Sequence, residues 1–230
     1  MPSYRLQLLI DKNDLPIIKG AQQRITLAKP VSSTSPNVIW QSIDPFVSTE
    51  VAWEEQYGIY ASTVAIREGA TITKISETEI PAQDGAYYSF TPATVFNGPF
   101  SGGVDRGSYK AVNDVPYSEY PVLTFGLTQS ALINQKPSER KPISATPVLA
   151  TQAATMTPFT NVHIWLQSTF SSETIITKIV GSSSVARFGG KVTDITLKYD
   201  PNLGVFVAAS PKGLLQHDSE LVTINTPLLD

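Results

Sequence analysis

Asn37-Val38-Ile39-Trp40 returns as Asn161-Val162-His163-Ile164-Trp165, and Phe46, Ser48 and Glu50 return as Phe170, Ser172 and Glu173. Further matches keep the same order along the chain. Tyr4 aligns with Tyr120, Gly58 with Gly181, Gly69 with Gly190, Gly85 with Gly204 and Pro116 with Pro227. The separations rise once and then fall, as two copies differing by small loop insertions would require. Self-similarity at a fixed spacing is the mark of a repeated structural unit. The reading is two tandem homologous units, residues 1–118 and 119–230.

Within each unit the hydrophobic period is two. Tyr4-Arg5-Leu6-Gln7-Leu8, Ala70-Thr71-Ile72-Thr73-Lys74-Ile75 and Val192-Thr193-Asp194-Ile195-Thr196-Leu197 alternate apolar with polar, the pattern of half-buried strands. Clusters such as Ser32-Ser33-Thr34-Ser35-Pro36 and Gly98-Pro99-Phe100-Ser101-Gly102-Gly103 separate them as turns. One short helix is expected between Leu15 and Ile25, with Pro16 suited to its first turn and Gly20 opposing its continuation. The fold class is therefore all-β, each unit a β-sandwich or small β-barrel.

Composition agrees. Serine and threonine number 23 each in 230 residues, with 14 glycines and 17 prolines, so β-branched and turn-forming residues outweigh helix formers. Hydrophobic residues at 41% against 16% charged supply a core. A net charge of −3, with no basic run longer than two residues, argues against nucleic acid as a partner. The N-terminal apolar stretch is broken by Arg5 and Gln7, so it reads as a first strand rather than a signal peptide. No apolar run reaches the roughly 18 residues of a membrane helix. These features suggest a protein that is cytoplasmic or released without a classical signal.

Positions apolar in both copies are expected in the core: Trp40 with Trp165, Trp53 with Ile176 and Tyr57 with Val180. The paired glycines are expected at turns or bulges needing positive φ.

Chemistry is sparse. There are no cysteines and only two histidines, His163 and His217, neither repeated in the first unit. On strands Glu77 and Glu79 share a face while Glu54 and Glu55 point apart, and solvated carboxylates are the expectation for all four. Phe188-Gly189-Gly190-Lys191-Val192-Thr193 lacks the Lys-Ser/Thr step of a phosphate loop. No catalytic residue, metal ligand or cofactor is assigned, and an enzyme is the least favoured class.

The favoured class is lectin-like: a non-enzymatic protein recognising a glycan or glycosylated surface by aromatic stacking and side-chain hydrogen bonds. The candidates are Tyr87, Tyr88, Phe100, Asp105, Tyr109, Asn113 and Tyr117, around a glycine-rich stretch. A membrane-active, pore-forming defence protein is the alternative, with Ser/Thr-rich residues 146–160 and 168–185 as inserting segments at a membrane surface. A self-assembling structural protein, its sheet edges joining homo-oligomers, is the third class.

Overall fold

Tyr4, Leu6 and Leu8 are buried and Arg5 is exposed, so the period-two alternation at the N-terminus does lay one face of a strand on the core. The structure is a computed structural model and describes residues 2–209 and 221–225; His217 and Pro227 lie outside them. Strand β1 (Ser3–Leu9) is followed by helix α1 (Leu15–Gly20), β2 (Arg24–Ala28), β3 (Gln41–Ile43), β4 (Ser48–Glu54), β5 (Gly58–Ser62) and β6 (Lys74–Glu77). Next come β7 (Ala86–Phe90), β8 (Phe96–Ser101), β9 (Tyr109–Asn113), β10 (Val122–Ile133), β11 (Lys136–Pro142) and β12 (Thr146–Leu149). The chain continues through β13 (Ala153–Met156), β14 (Asn161–Gln167), β15 (Ser183–Arg187), β16 (Asp194–Asp200), β17 (Val205–Ala208) and β18 (Val222–Asn225). The protein is all-β, and α1 stops at Gly20, short of Ile25. No helix among the described residues is long and apolar enough to cross a membrane.

Three sheets form. The largest runs β17-β16-β1-β4-β10-β5-β6, with β11 and β12 also pairing along β10. A four-stranded sheet runs β13-β9-β7-β8, and a five-stranded sheet runs β18-β15-β14-β2-β3. Pairing is antiparallel except for β1 with β16 and β7 with β9. A division at Ser118 cuts through all three sheets: β1 pairs with β16, β2 with β14, and β9 with β13. The halves also share one large core cluster, to which Leu6, Leu27, Phe90, Phe125, Ile164 and Phe206 all belong.

Strand β10 holds this arrangement together. Leu123 to Gln129 is buried without interruption because neighbouring elements cover both faces, so the strand reads as a continuous run rather than an alternation. Its hairpin with β11 turns at Asn134 and Gln135, both at positive φ, the geometry that suits the twist of a two-residue connection. The register between β10 and β11 shifts between Gln129 and Ala131, a bulge that changes which residues face inward.

Trp40, Trp165, Trp53, Ile176 and Tyr57 are buried, as expected of positions apolar in both copies, but Val180, matched to Tyr57, is 71% exposed and so is not core. Gly69, Gly85, Gly181, Gly190 and Gly204 have positive φ, whereas Gly58 does not. Gly58 instead sits where an added Cβ would lie 2.7 Å from Thr128 Oγ1, so its role is close approach. The Ser/Thr-rich segment 146–160 is not a hairpin: β12 pairs with β10 and β13 with β9. In the segment 168–185, Thr174, Ile175 and Ile176 are buried, and their backbones bond to Ile39, Ala70 and Asn37.

Candidate functional site

Trp53 lies near the end of β4, and the short bend between β4 and β5 that carries Glu55 and Tyr57 turns all three side chains toward one point. Glu54 is exposed. At that point lies Lys29, the residue after β2, whose side chain is 0% exposed. The Lys29 Nζ lies 3.0 Å from Glu55 Oε1, 2.7 Å from Gln129 Oε1 and 3.5 Å from the Tyr57 hydroxyl, so all three of its N–H donors are directed at oxygen. The rings of Trp40, Trp53 and Tyr57 surround it, with centroids 5.5, 5.2 and 5.5 Å from Nζ.

The acceptors are held in turn. Trp53 Nε1 donates to Glu55 Oε1 at 2.9 Å, and the Tyr57 hydroxyl donates to Glu55 Oε2. Gln129 Nε2 donates to the Glu54 carbonyl at 2.8 Å, and Trp40 Nε1 donates to the Gln129 carbonyl at 3.0 Å. Burial lowers the Lys29 pKa, opposed in part by the Glu55 charge and hydrogen bond. Burial alone would raise Glu55, but Lys29 and the bonds from Tyr57, Lys29 and Trp53 outweigh it and leave the carboxyl below its ordinary value. Burial and the Glu55 charge push Tyr57 well up. Glu55 is therefore not the solvated carboxylate expected from sequence. Glu77 is not one either: Lys74 Nζ is 2.8 Å and Arg140 3.8 Å from its carboxylate, and Thr128 donates to it. Glu79 is exposed.

On the outer side of Trp53 a groove of about 600 Å³ opens between β1, β4 and the β10–β11 hairpin. Leu132, Ile80 and Pro137 supply its exposed apolar surface, while Tyr4 and Trp53, cross-strand neighbours with ring centroids 5.8 Å apart, lie buried beneath it. Glu54, Gln56, Ser130, Glu139 and Arg140 supply polar groups. The bulge after Gln129 turns that residue inward to Lys29, while Ser130 lines the groove. Ser130 Oγ accepts the Arg140 backbone N–H at 3.0 Å and so fixes β11 against β10.

The seven residues expected to bind a glycan do not converge. Tyr88 is buried, and its hydroxyl accepts the Gln83 N–H at 2.8 Å. Tyr109 packs its ring 5.6 Å from that of Tyr57, and burial pushes its pKa up to about 12. Asn113 is fully buried, donating to the Val148 carbonyl and accepting from the Val115 N–H, both at 3.2 Å. These three serve packing and backbone pairing, which withdraws them from a surface ligand. Tyr87 and Phe100 face one another across β7 and β8 with centroids 5.2 Å apart. Asp105 and Tyr117 are exposed, the latter at 74%, and no hydrogen bond or ring contact among the described residues joins either to that pair.

His163 on β14 is buried beside a second pocket of about 250 Å³ that Ser35, Lys178, Ser183 and Asn225 also line. Its Nδ1 has no hydrogen-bond partner. Burial lowers its pKa, against a hydrogen bond with the Thr34 backbone. No carboxylate lines that pocket among the described residues, so no acid–base pair forms there. Nor do the described residues bring three His, Cys, Asp or Glu side chains together as metal ligands. No protein-family model, curated protein or solved structure matches the chain.

Proposed function

We propose that this chain is a non-enzymatic binding protein that holds a saccharide in the groove between β1, β4 and the β10–β11 hairpin. The observation that carries the reading is the pairing of an apolar floor, Ile80, Leu132 and Pro137 with the little surface that the buried Tyr4 and Trp53 leave exposed, with a polar rim of Glu54, Gln56, Ser130, Glu139 and Arg140. Sugars present apolar C–H faces bordered by hydroxyls, so an apolar surface ringed by carboxylate, amide and guanidinium groups suits them. The site lies apart from the residues favoured by sequence, five of which sit on β7, β8 and β9, and the rigidity of its own paired strands keeps donors and acceptors in place. The ordered sequence matches support a duplicated origin, since Gly85 and Gly204 have φ of +67° and +69° and each leads into a strand, β7 or β17. In this reading the two copies share sheets rather than forming separate bodies.

The test is an array of immobilised glycans probed with the wild type and with Glu139→Ala/Arg140→Ala. Binding to one glycan class, weakened at least about fivefold by the double substitution with the melting temperature preserved, supports the groove. Loss of two charge-assisted hydrogen bonds at about 1.5 kcal/mol each would weaken it further still. Binding to no glycan, or equal binding by both proteins, rejects it.

A further inference from the structure

The Lys29 side chain is 0% exposed, so a ligand in the groove does not reach its amine, and that amine's chemistry involves its own neighbours. Those neighbours are an amine, a carboxamide and a carboxyl group: Lys29 Nζ with Gln129 Oε1 at 2.7 Å and Glu55 Oε1 at 3.0 Å. We propose that Lys29 and Gln129 are joined by an intramolecular isopeptide bond, with Glu55 moving the proton.

The reaction balances without an external reagent. Glu55 takes a proton from the Lys29 ammonium, and the neutral Nζ attacks Gln129 Cδ. As the new C–Nζ bond forms, a second proton passes from Nζ to Nε2, the Cδ–Nε2 bond breaks and ammonia leaves. The proton held on Glu55 departs with it as ammonium, restoring the carboxylate. Each part of the cluster serves a step. Burial favours the neutral amine that must attack. Trp40, Trp53 and Tyr57 exclude the water that would compete for the amide carbon. The bonds from Gln129 Nε2 to the Glu54 carbonyl and from Lys29 Nζ to Gln129 Oε1 hold the carboxamide beside the amine, which reaches the face of Cδ by swinging off Oε1.

The position in the fold gives the bond a structural use. Lys29 follows β2 of the five-stranded sheet, and Gln129 lies on β10 of the largest sheet, 100 residues away in sequence. A covalent link there would tie the two sheets across the core. The chain has no cysteine with which to do so by disulfide. This inference does not depend on the saccharide reading of the groove.

Mass spectrometry of the purified full chain tests it. The denatured wild type should weigh about 17 Da less than its sequence, the mass of one ammonia. Trypsin does not cleave before proline, so Lys29-Pro30 and Lys136-Pro137 stay intact, and the digest should yield residues 25–67 joined to residues 111–140. Tandem fragmentation should place the junction at Lys29 and Gln129. Gln129→Ala should have its full sequence mass. Glu55→Gln, in material whose circular dichroism matches the wild type, should also be unlinked. Recovery of the two wild-type peptides as separate linear species overturns the proposal whatever the variants do. A folded Glu55→Gln linked as fully as the wild type overturns the role given to Glu55.

Discussion

Replacing Gly126 with alanine should be among the most damaging single changes available to this protein. Gly126 lies in the fully buried middle of β10, and an added Cβ would stand 1.9 Å from the Ser144 carbonyl oxygen and 2.5 Å from a Tyr60 ring carbon. Real Cβ atoms essentially never approach such neighbours within 3.0 Å, so backbone must move by more than about 1 Å. That movement cannot be confined to side chains, because the Tyr60 hydroxyl donates to the same Ser144 carbonyl at 2.7 Å inside the core. Overpacking of a well-filled core costs about 1–3 kcal/mol, and leaving the buried Tyr60 hydroxyl unpaired adds about 1–3 kcal/mol. The expected loss is about 3–5 kcal/mol. Urea denaturation followed by tryptophan fluorescence reads it directly. With a slope of about 3 kcal/mol per molar for a chain of this size, the midpoint should fall by about 1–2 M. A midpoint within about 0.3 M of the wild type would refute the close packing of β10 against Ser144 and Tyr60.

Tyr109→Ala should cost about 3–5 kcal/mol in the same assay because its ring is part of the core, whereas Tyr117→Ala, largely exposed, should stay within about 0.5 kcal/mol. Equal effects would misplace one of the two rings. Asn113→Ala should lose about 1–3 kcal/mol, since the Val148 carbonyl and Val115 N–H are left without their side-chain partner; an unchanged midpoint would mean those groups find other bonds. Burial depresses the His163 pKa below 6.5, so the unfolded chain takes up a proton there more readily than the folded one. The contribution is present above about pH 6.5 and is lost as pH falls through the folded-state value, so the wild type should lose more stability than His163→Gln between about pH 7 and about pH 5. Parallel pH profiles for the two proteins would count against a buried neutral imidazole.

Local order was legible because it depends on local pattern. The alternation in Tyr4 to Leu8 predicts β1, the turn residues predict the breaks, and Pro16 with Gly20 brackets α1 closely. Pairing was not legible, because β1 meets β16 and β2 meets β14 across more than 130 residues, and nothing in the hydrophobic period of a strand specifies such a partner. Repeat matching groups residues by neighbourhood along the chain, and the sheets ignore that grouping. The seven aromatic and polar candidates failed to converge for a related reason: a glycine-rich surrounding suggests exposure, yet Tyr88, Tyr109 and Asn113 occupy inward positions of β7 and β9. The Lys29 cluster did leave a trace. Trp53-x-Glu55-x-Tyr57 sets a carboxylate between two core aromatics, a placement a solvated glutamate would not need. Lys29 and Gln129 carry no such signal, because only the approach of the five-stranded sheet to β10 brings them to it.

The saccharide reading of the groove is tested most directly by labelling the three tryptophan indoles with ¹⁵N and titrating the protein with the glycan favoured on the array. Trp53 lines the groove, whereas Trp165 packs in a separate cluster with Ala28, Ile39 and Ile176. The Trp53 resonance, assigned through Trp53→Phe, should shift and saturate while that of Trp165 stays fixed. A Trp53 resonance that does not move at saturating glycan, or a shift confined to Trp165, would contradict the account.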